Sequence, residues 1–158
     1  MTAPLAVAFE GDRTLRFTRS FAAPRPLVWR AFTEPELITQ WLWARSAPMT
    51  LCEQDFRVGG HYRWGWALPR GGLMAVSGRF LEIAPPEKIV HTELFDEDWT
   101  GGETTVTTFL LDEGPATRME MTVLYATPEA RDRAAATPMA EGMEEGYARL
   151  DTLLPGWA

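Results

Sequence analysis

His91 and Glu93 stand one alternation apart, so a strand through them presents an imidazole and a carboxylate side by side. Ile89 and Phe95 share that face. If it looks inward, two polar groups are buried at a cost that only a partner offsets. The pair then suits one of two tasks: anchoring the polar end of a ligand, or passing protons as a general acid–base pair. The plainer alternative is a solvated face, or pairing with Arg63 or Arg79. Arg19 and Arg63 carry forked donors that hold a carboxylate ligand if either enters the inner face of a sheet; the commoner fate of such side chains is to reach the rim. Asp55 and Arg57 read as ties between strand ends. Cys52 and His61 complete the reactive set. One Cys and two dispersed His lack metal-ligand spacing, so no metal is expected, and a Cys–His nucleophile needs a proximity that the spacing does not supply. Gly59-Gly60 and Gly71-Gly72 are turn glycines without the strand, loop and lysine of a phosphate cradle, and no serine sits in a nucleophile elbow. No cofactor is expected.

The larger signal is apolar. Of seven tryptophans, Trp29, Trp41, Trp43, Trp64 and Trp66 fall in one short stretch. Tyr62, Trp64 and Trp66 lie at i, i+2, i+4 and so point to one face of a strand. Met139, Met143 and Tyr147 form a helical stripe that can face them. With Trp41, Met74, Val76 and Met121, these residues can enclose an aromatic or lipid-like molecule, His91 and Glu93 giving it direction. The competing reading is ordinary core packing.

Positioning these groups requires a sheet and a long helix. Arg13–Phe21 alternates, with Leu15, Phe17 and Phe21 on one face and Arg19 as the exception. Met1–Asp12 has no clear period and reads as a loose arm. Pro24 and Pro26 open a short helix whose apolar side is Leu27, Val28, Ala31 and Phe32. Thr33 and Glu36 have capping-box spacing for a second, with Leu37, Ile38, Trp41 and Leu42 at helical intervals. From Met49 to Leu124 six strands follow, separated by glycine- and proline-rich turns, in an antiparallel meander. Thr127-Pro128 and Thr137-Pro138 open a short helix and then a long one ending near Leu154. The last helix is the only long element left to cover the sheet. The class is α+β, a curved antiparallel sheet with a helix on its concave side.

Composition bounds the partners. At 158 residues, one domain over 1–158 is expected. The net charge of −7 opposes nucleic acid and anionic membrane as partners. No apolar run approaches a membrane span of roughly 20 residues, so no membrane insertion is expected. Met1–Leu15 lacks the pattern of a secretory signal, and the single thiol suits a reducing compartment; a cytoplasmic location is expected.

At this point the residues resemble a family. Ala23-Pro24-x-x-x-Val28-Trp29-x-Ala31-Phe32-Thr33-x-Pro35-Glu36-x-Ile38-x-x-Trp41 is similar to the opening of the SRPBCC (START-like) superfamily, in the branch named for the activator of heat-shock protein 90 ATPase. Asp55-x-Arg57-x-Gly59-Gly60, the run from Gly78 through Pro85-Pro86 to Val90, Thr105-Val106-Thr107, Thr117-Arg118-Met119 and Glu141-Gly142-Met143 agree with it. The resemblance covers about Arg13 to Leu154. It implies a helix-grip fold with an internal cavity, in a superfamily whose members carry lipids, bind hormones and metabolites or act as cyclases, and it makes a homodimer plausible. Three positions depart from the family: Met143 replaces a usual tryptophan, His91 and Glu93 replace large apolar residues, and Val123 stands where relatives often have histidine.

The function expected is binding of a small hydrophobic or aromatic molecule in that cavity, without a defined catalytic step. A cyclase or hydrolase using His91 or Glu93, and a co-chaperone-like interaction module, are the alternatives.

Overall fold

The computed structural model describes residues 3–44 and 46–158. The chain runs β1 (Ala6–Glu10), β2 (Thr14–Phe21), α1 (Arg25–Thr33), α2 (Pro35–Ile38), β3 (Met49–Gln54), β4 (His61–Ala67), β5 (Leu73–Ala84), β6 (Lys88–Phe95), β7 (Thr104–Glu113), β8 (Ala116–Leu124), α3 (Pro128–Ala135) and α4 (Met139–Trp157). Eight strands make one curved antiparallel sheet in the order β1-β2-β8-β7-β6-β5-β4-β3. From β3 to β8 each strand pairs with the next through a short link, and β8 then pairs with β2. The one long connection carries α1 and α2 from β2 to the far edge at β3. Among the described residues no helix is long and apolar enough to cross a membrane.

Local chemistry explains most element boundaries. Pro26 lies in the first turn of α1, and the Thr127 hydroxyl caps α3 by accepting from the Ala130 N–H at 3.0 Å. Two expectations are corrected. The arm over Met1–Asp12 contains a strand: Ala6–Glu10 pairs with β2 from Ala6 opposite Thr18 to Glu10 opposite Thr14. All five of its residues are exposed, so this edge strand needs no apolar alternation and leaves no period to read. Met1 and Thr2 lie outside the described residues. The capping box at Thr33 does not form; its hydroxyl donates back to the Trp29 carbonyl at 2.8 Å, and α2 stops after one turn with Trp41 and Leu42 in the turn beyond it.

The core sits between the sheet's inner face and the C-terminal half of α4. Tyr147, Leu150 and Leu154 pack with Phe21, Leu27, Val28, Ala31, Leu110 and Met119. Side chains buried this fully contribute about 1.5–3 kcal/mol each. Arg19, the exception in the alternation of β2, is 4% exposed and lies among them. Its Nε and Nη2 donate to the two Glu144 carboxylate oxygens at 2.8 and 2.9 Å, and its Nη1 and Nη2 donate to Asp151 at 3.1 and 2.9 Å. Glu144 and Asp151 are seven residues apart on α4, about two turns, so they lie on one face and one guanidinium grips the helix at two levels. Burial alone would lower the Arg19 pKa, but the hydrogen bonds to Glu144 and Asp151 outweigh it and leave it raised. The same contact holds the Glu144 carboxyl below its ordinary range.

The opposite flank of α4 lies against the turn after α2. A Cβ on Gly146 would stand 2.9 Å from the Trp41 carbonyl oxygen, so only glycine allows the helix this close. One turn on, Arg149 donates to the Trp41 and Trp43 carbonyls at 3.1 and 2.7 Å, with its guanidinium 3.5 Å from the Trp43 ring centroid.

Replacing Arg19 with methionine removes the guanidinium from both carboxylates, leaving Glu144 with the Leu5 N–H. With Glu144 and Asp151 side chains 27% and 29% exposed, the expected loss is about 2–3 kcal/mol by urea denaturation, below that of a sealed pair. The depressed Glu144 pKa contributes stability above its unfolded value of about 4.3, and that contribution disappears as pH falls through the folded value. The thermal midpoint of the wild type should therefore fall more steeply than that of Arg19→Met between about pH 5 and 3; parallel curves would mean that the pair does not stabilise the fold.

Candidate functional site

The N-terminal half of α4 stands over the sheet without filling the space beneath it. The result is a cavity of about 620 Å³. Its floor is the inner face of the strands: Trp64 and Trp66 from β4, Met74, Val76 and Phe80 from β5, Ile89, His91, Glu93 and Phe95 from β6, Thr104, Val106 and Thr108 from β7, and Met121 and Val123 from β8. Met139, Met143 and Tyr147 of α4 close it from above, and Trp41, Leu42 and Trp43 close one side. The period of two along each strand sends these side chains inward. Leu68, Met74 and Trp99, each at least 37% exposed, join Thr137 and Pro138 at the rim. The mouth is thus made by the β4–β5 hairpin, the loop after β6 and the turn before α4.

Eleven of the expected wall residues meet at this cavity: Trp41, Trp64, Trp66, Met74, Val76, His91, Glu93, Met121, Met139, Met143 and Tyr147. Tyr62 is the exception. It shares their face but lies beneath the wall, its ring 4.5 Å from Trp64 and 5.5 Å from His91. Its hydroxyl donates to the Thr92 carbonyl, and its ring edge lies where a Cβ on Gly78 would be. Tyr62 therefore supports His91 from behind. The indole N–H groups are engaged as well: Trp41 donates to Ala31 O at 2.9 Å, Trp66 to Leu42 O at 2.6 Å and Trp64 to Gln54 Oε1 at 3.3 Å. These bonds fix the orientation of the flat walls.

His91 and Glu93 do face inward. His91 is 8% exposed, and neither Nδ1 nor Nε2 has a hydrogen-bond partner. Nε2 stands 3.5 Å from Glu93 Oε2, beyond good hydrogen-bond length. Arg63 and Arg79 do not neutralise the pair: Arg63 binds Asp96 and Ser77 on the other face of β4, and Arg79 is exposed. Arg19 is committed to α4 and does not line the cavity. Cys52 and His61 point to opposite faces, because Cys52 pairs with Trp64 while His61 is odd in the alternation of β4. Burial, with Glu36 nearby, pushes the Cys52 thiol up to about 11 and away from nucleophilic use at neutral pH. Asp55 and Arg57 bind each other at 2.7 Å. Among the described residues no group of three or more His, Cys, Asp or Glu converges on a metal position.

Several wall residues escaped the sequence reading. Thr104, Val106 and Thr108 alternate on β7 and were visible as a period of two, but two threonines do not announce a pocket. Tyr125 follows β8 and lies outside any periodic run; its hydroxyl meets only the Met139 sulfur at 3.9 Å, and burial, then the Glu93 charge, raises its pKa to about 12. Phe32, Phe56 and Trp99 enter from a helix and two loops, where no alternation applies.

Comparison with known proteins places this geometry. The family model described as activator of Hsp90 ATPase homolog 1-like protein matches residues 22–155. A crystal structure of a Rhodobacter sphaeroides protein is 42% identical, with a TM-score of 0.93 over 98% of this chain and 99% of that one. A Nitrosomonas europaea protein is 25% identical, with a TM-score of 0.83 over 94% of this chain and 98% of that one. An AHSA1 protein from Silicibacter pomeroyi, 20% identical with a TM-score of 0.72 over 92% of this chain and 99% of that one, shares the fold. No curated protein matches the chain with significance.

A buried imidazole with both nitrogens unpartnered is a stability cost. His91→Leu, close in volume and without polar atoms, is expected to raise stability by about 1 kcal/mol in urea denaturation. A loss typical of core truncation would instead mean that the imidazole is an integral part of the packing.

Proposed function

The chain belongs to the family of activator of Hsp90 ATPase homolog 1-like proteins, and from that premise we propose that it binds a small hydrophobic or aromatic molecule in the cavity beneath α4, without a defined catalytic step. The observation that carries this reading is the conjunction of size and lining. A space of about 620 Å³ lies within the range of drug-sized ligand sites, roughly 300–1,000 Å³, and its walls are aromatic and methionine side chains with one polar corner. The five lining tryptophans, Trp41, Trp43, Trp64, Trp66 and Trp99, supply flat rigid surface, while Met74, Met121, Met139 and Met143 adapt to the ligand's outline. Met143, where a tryptophan is usual in the family, leaves more of that volume open.

A cyclase or hydrolase in the same pocket would need His91 held in one tautomer by a third group, as activated bases are. Neither imidazole nitrogen has such a partner, which favours binding over catalysis. An interaction module would need a continuous apolar patch outside. On the outer face Phe109 lies between Lys88 and Glu120 in register, and Leu111 lies opposite Arg118, so charge interrupts the apolar residues.

Titration with a neutral fluorescent probe, N-phenyl-1-naphthylamine, tests the reading. Saturable one-to-one binding is expected in the wild type. Met143→Trp should weaken it at least about tenfold, about 1.4 kcal/mol, with the thermal midpoint within a few degrees of wild type. A weak, non-saturating signal, the same in both proteins, would mean that the cavity is not a binding site.

A further inference from the structure

The charge inventory of the cavity wall is one-sided. Among the described residues no Arg or Lys lines it, and Glu93 is the one carboxylate in its lining. Guanidiniums of described residues around it are engaged elsewhere: Arg19 by Glu144 and Asp151, Arg63 by Asp96, and Arg149 by the Trp41 and Trp43 carbonyls. His91 does not supply a surplus of positive charge. Its Nε2 lies 3.5 Å from Glu93 Oε2, so a protonated imidazole is already matched by that carboxylate, and a neutral one leaves the carboxylate alone. The corner therefore carries a net charge of zero or minus one in either state. A ligand carboxylate placed there adds a second negative charge in a desolvated site; a ligand cation removes the first.

Two further features point the same way. Burial and then Glu93 raise the pKa of Tyr62 and Tyr125; at Tyr147 burial comes first, and Arg19, which lowers it, acts more strongly than Glu93, so the influence of Glu93 is greatest on the side of the cavity away from Arg19. The wall is rich in aromatic rings, whose faces attract cations. Trp64 lies 6.1 Å from the His91 ring, at the polar corner itself.

We propose that the ligand is an aromatic molecule bearing a protonated amine, with Glu93 as its counter-charge and the unpartnered His91 as a second polar contact, and that the site rejects carboxylates of the same shape. This rests on the binding function proposed above, and it names the chemical class of the ligand. The substitution of a carboxylate and an imidazole into an otherwise apolar strand face is then what sets the cavity's preference.

The test is isothermal titration of three probes with one skeleton: 2-naphthylmethylamine, 2-naphthylmethanol and 2-naphthylacetate. The amine is expected to bind at least about tenfold more tightly than the acetate, with the alcohol between them. In Glu93→Gln the amine should lose at least about tenfold while the alcohol binds as in wild type, which also shows that the variant is folded; Glu93→Asp should keep the preference for the amine. Equal affinities for all three probes, or a preference for the acetate, would overturn the charge assignment and leave the binding function standing. Failure of all three to bind would overturn both.

Discussion

The position of the helix over the cavity depends first on Arg19. A guanidinium on the concave face of β2 would be prohibitively costly alone. Bound to Glu144 and Asp151, it converts that cost into a positional constraint: α4 must present both carboxylates to one point on the sheet. Gly146 and Arg149 add a second constraint from the opposite flank, pulling the helix against the carbonyls of Trp41 and Trp43. Tyr147, Leu150 and Leu154 pack below, while Met139 and Met143 of the first turns pack at the edge of the second core cluster and face the cavity. The cavity exists because the helix is anchored where it is.

The polar corner follows a different logic. Tyr62 and Gly78 pack behind His91 and fix its ring from the rear, yet nothing bonds its nitrogens. A sequence selected for stability alone would place an apolar residue there, as the family resemblance implies for this strand. Departures from local consistency of this kind are expected at functional positions.

Much of the fold was legible in the sequence, because alternation and proline-marked helix starts are local signals. The shared face of Tyr62, Trp64 and Trp66 on β4 and the α4 stripe of Met139, Met143 and Tyr147 both followed from periodicity; counting put His91 and Glu93 on one face but did not decide whether that face looks inward. What escaped depended on non-local geometry. β1 has no buried face, so pairing with β2 gave it an identity that its own residues do not announce. Thr33 had the right spacing for a cap but found a nearer acceptor in the preceding turn. Tyr62 shows the limit most plainly: period two gave its face, and only the close approach allowed by Gly78 decides that it lies under the wall instead of in it. Arg19 read as an exception in its strand, and its meaning lay about 125 residues away on another element.

The mouth of the cavity draws on three segments far apart in the chain: Leu68 and Met74 beside one hairpin, Trp99 in the loop after β6, and Thr137-Pro138 before α4. None of them belongs to the anchor of α4 or to the polar corner. Apart from Met74, which also belongs to the floor, the rim residues are distinct from those proposed to set affinity. If the cavity binds the proposed ligand, lengthening or stiffening a rim loop changes how long it stays and how fast it enters, while the preference for it is set by the floor. In such a protein, divergence can retime the traffic of a ligand without changing which ligand it is.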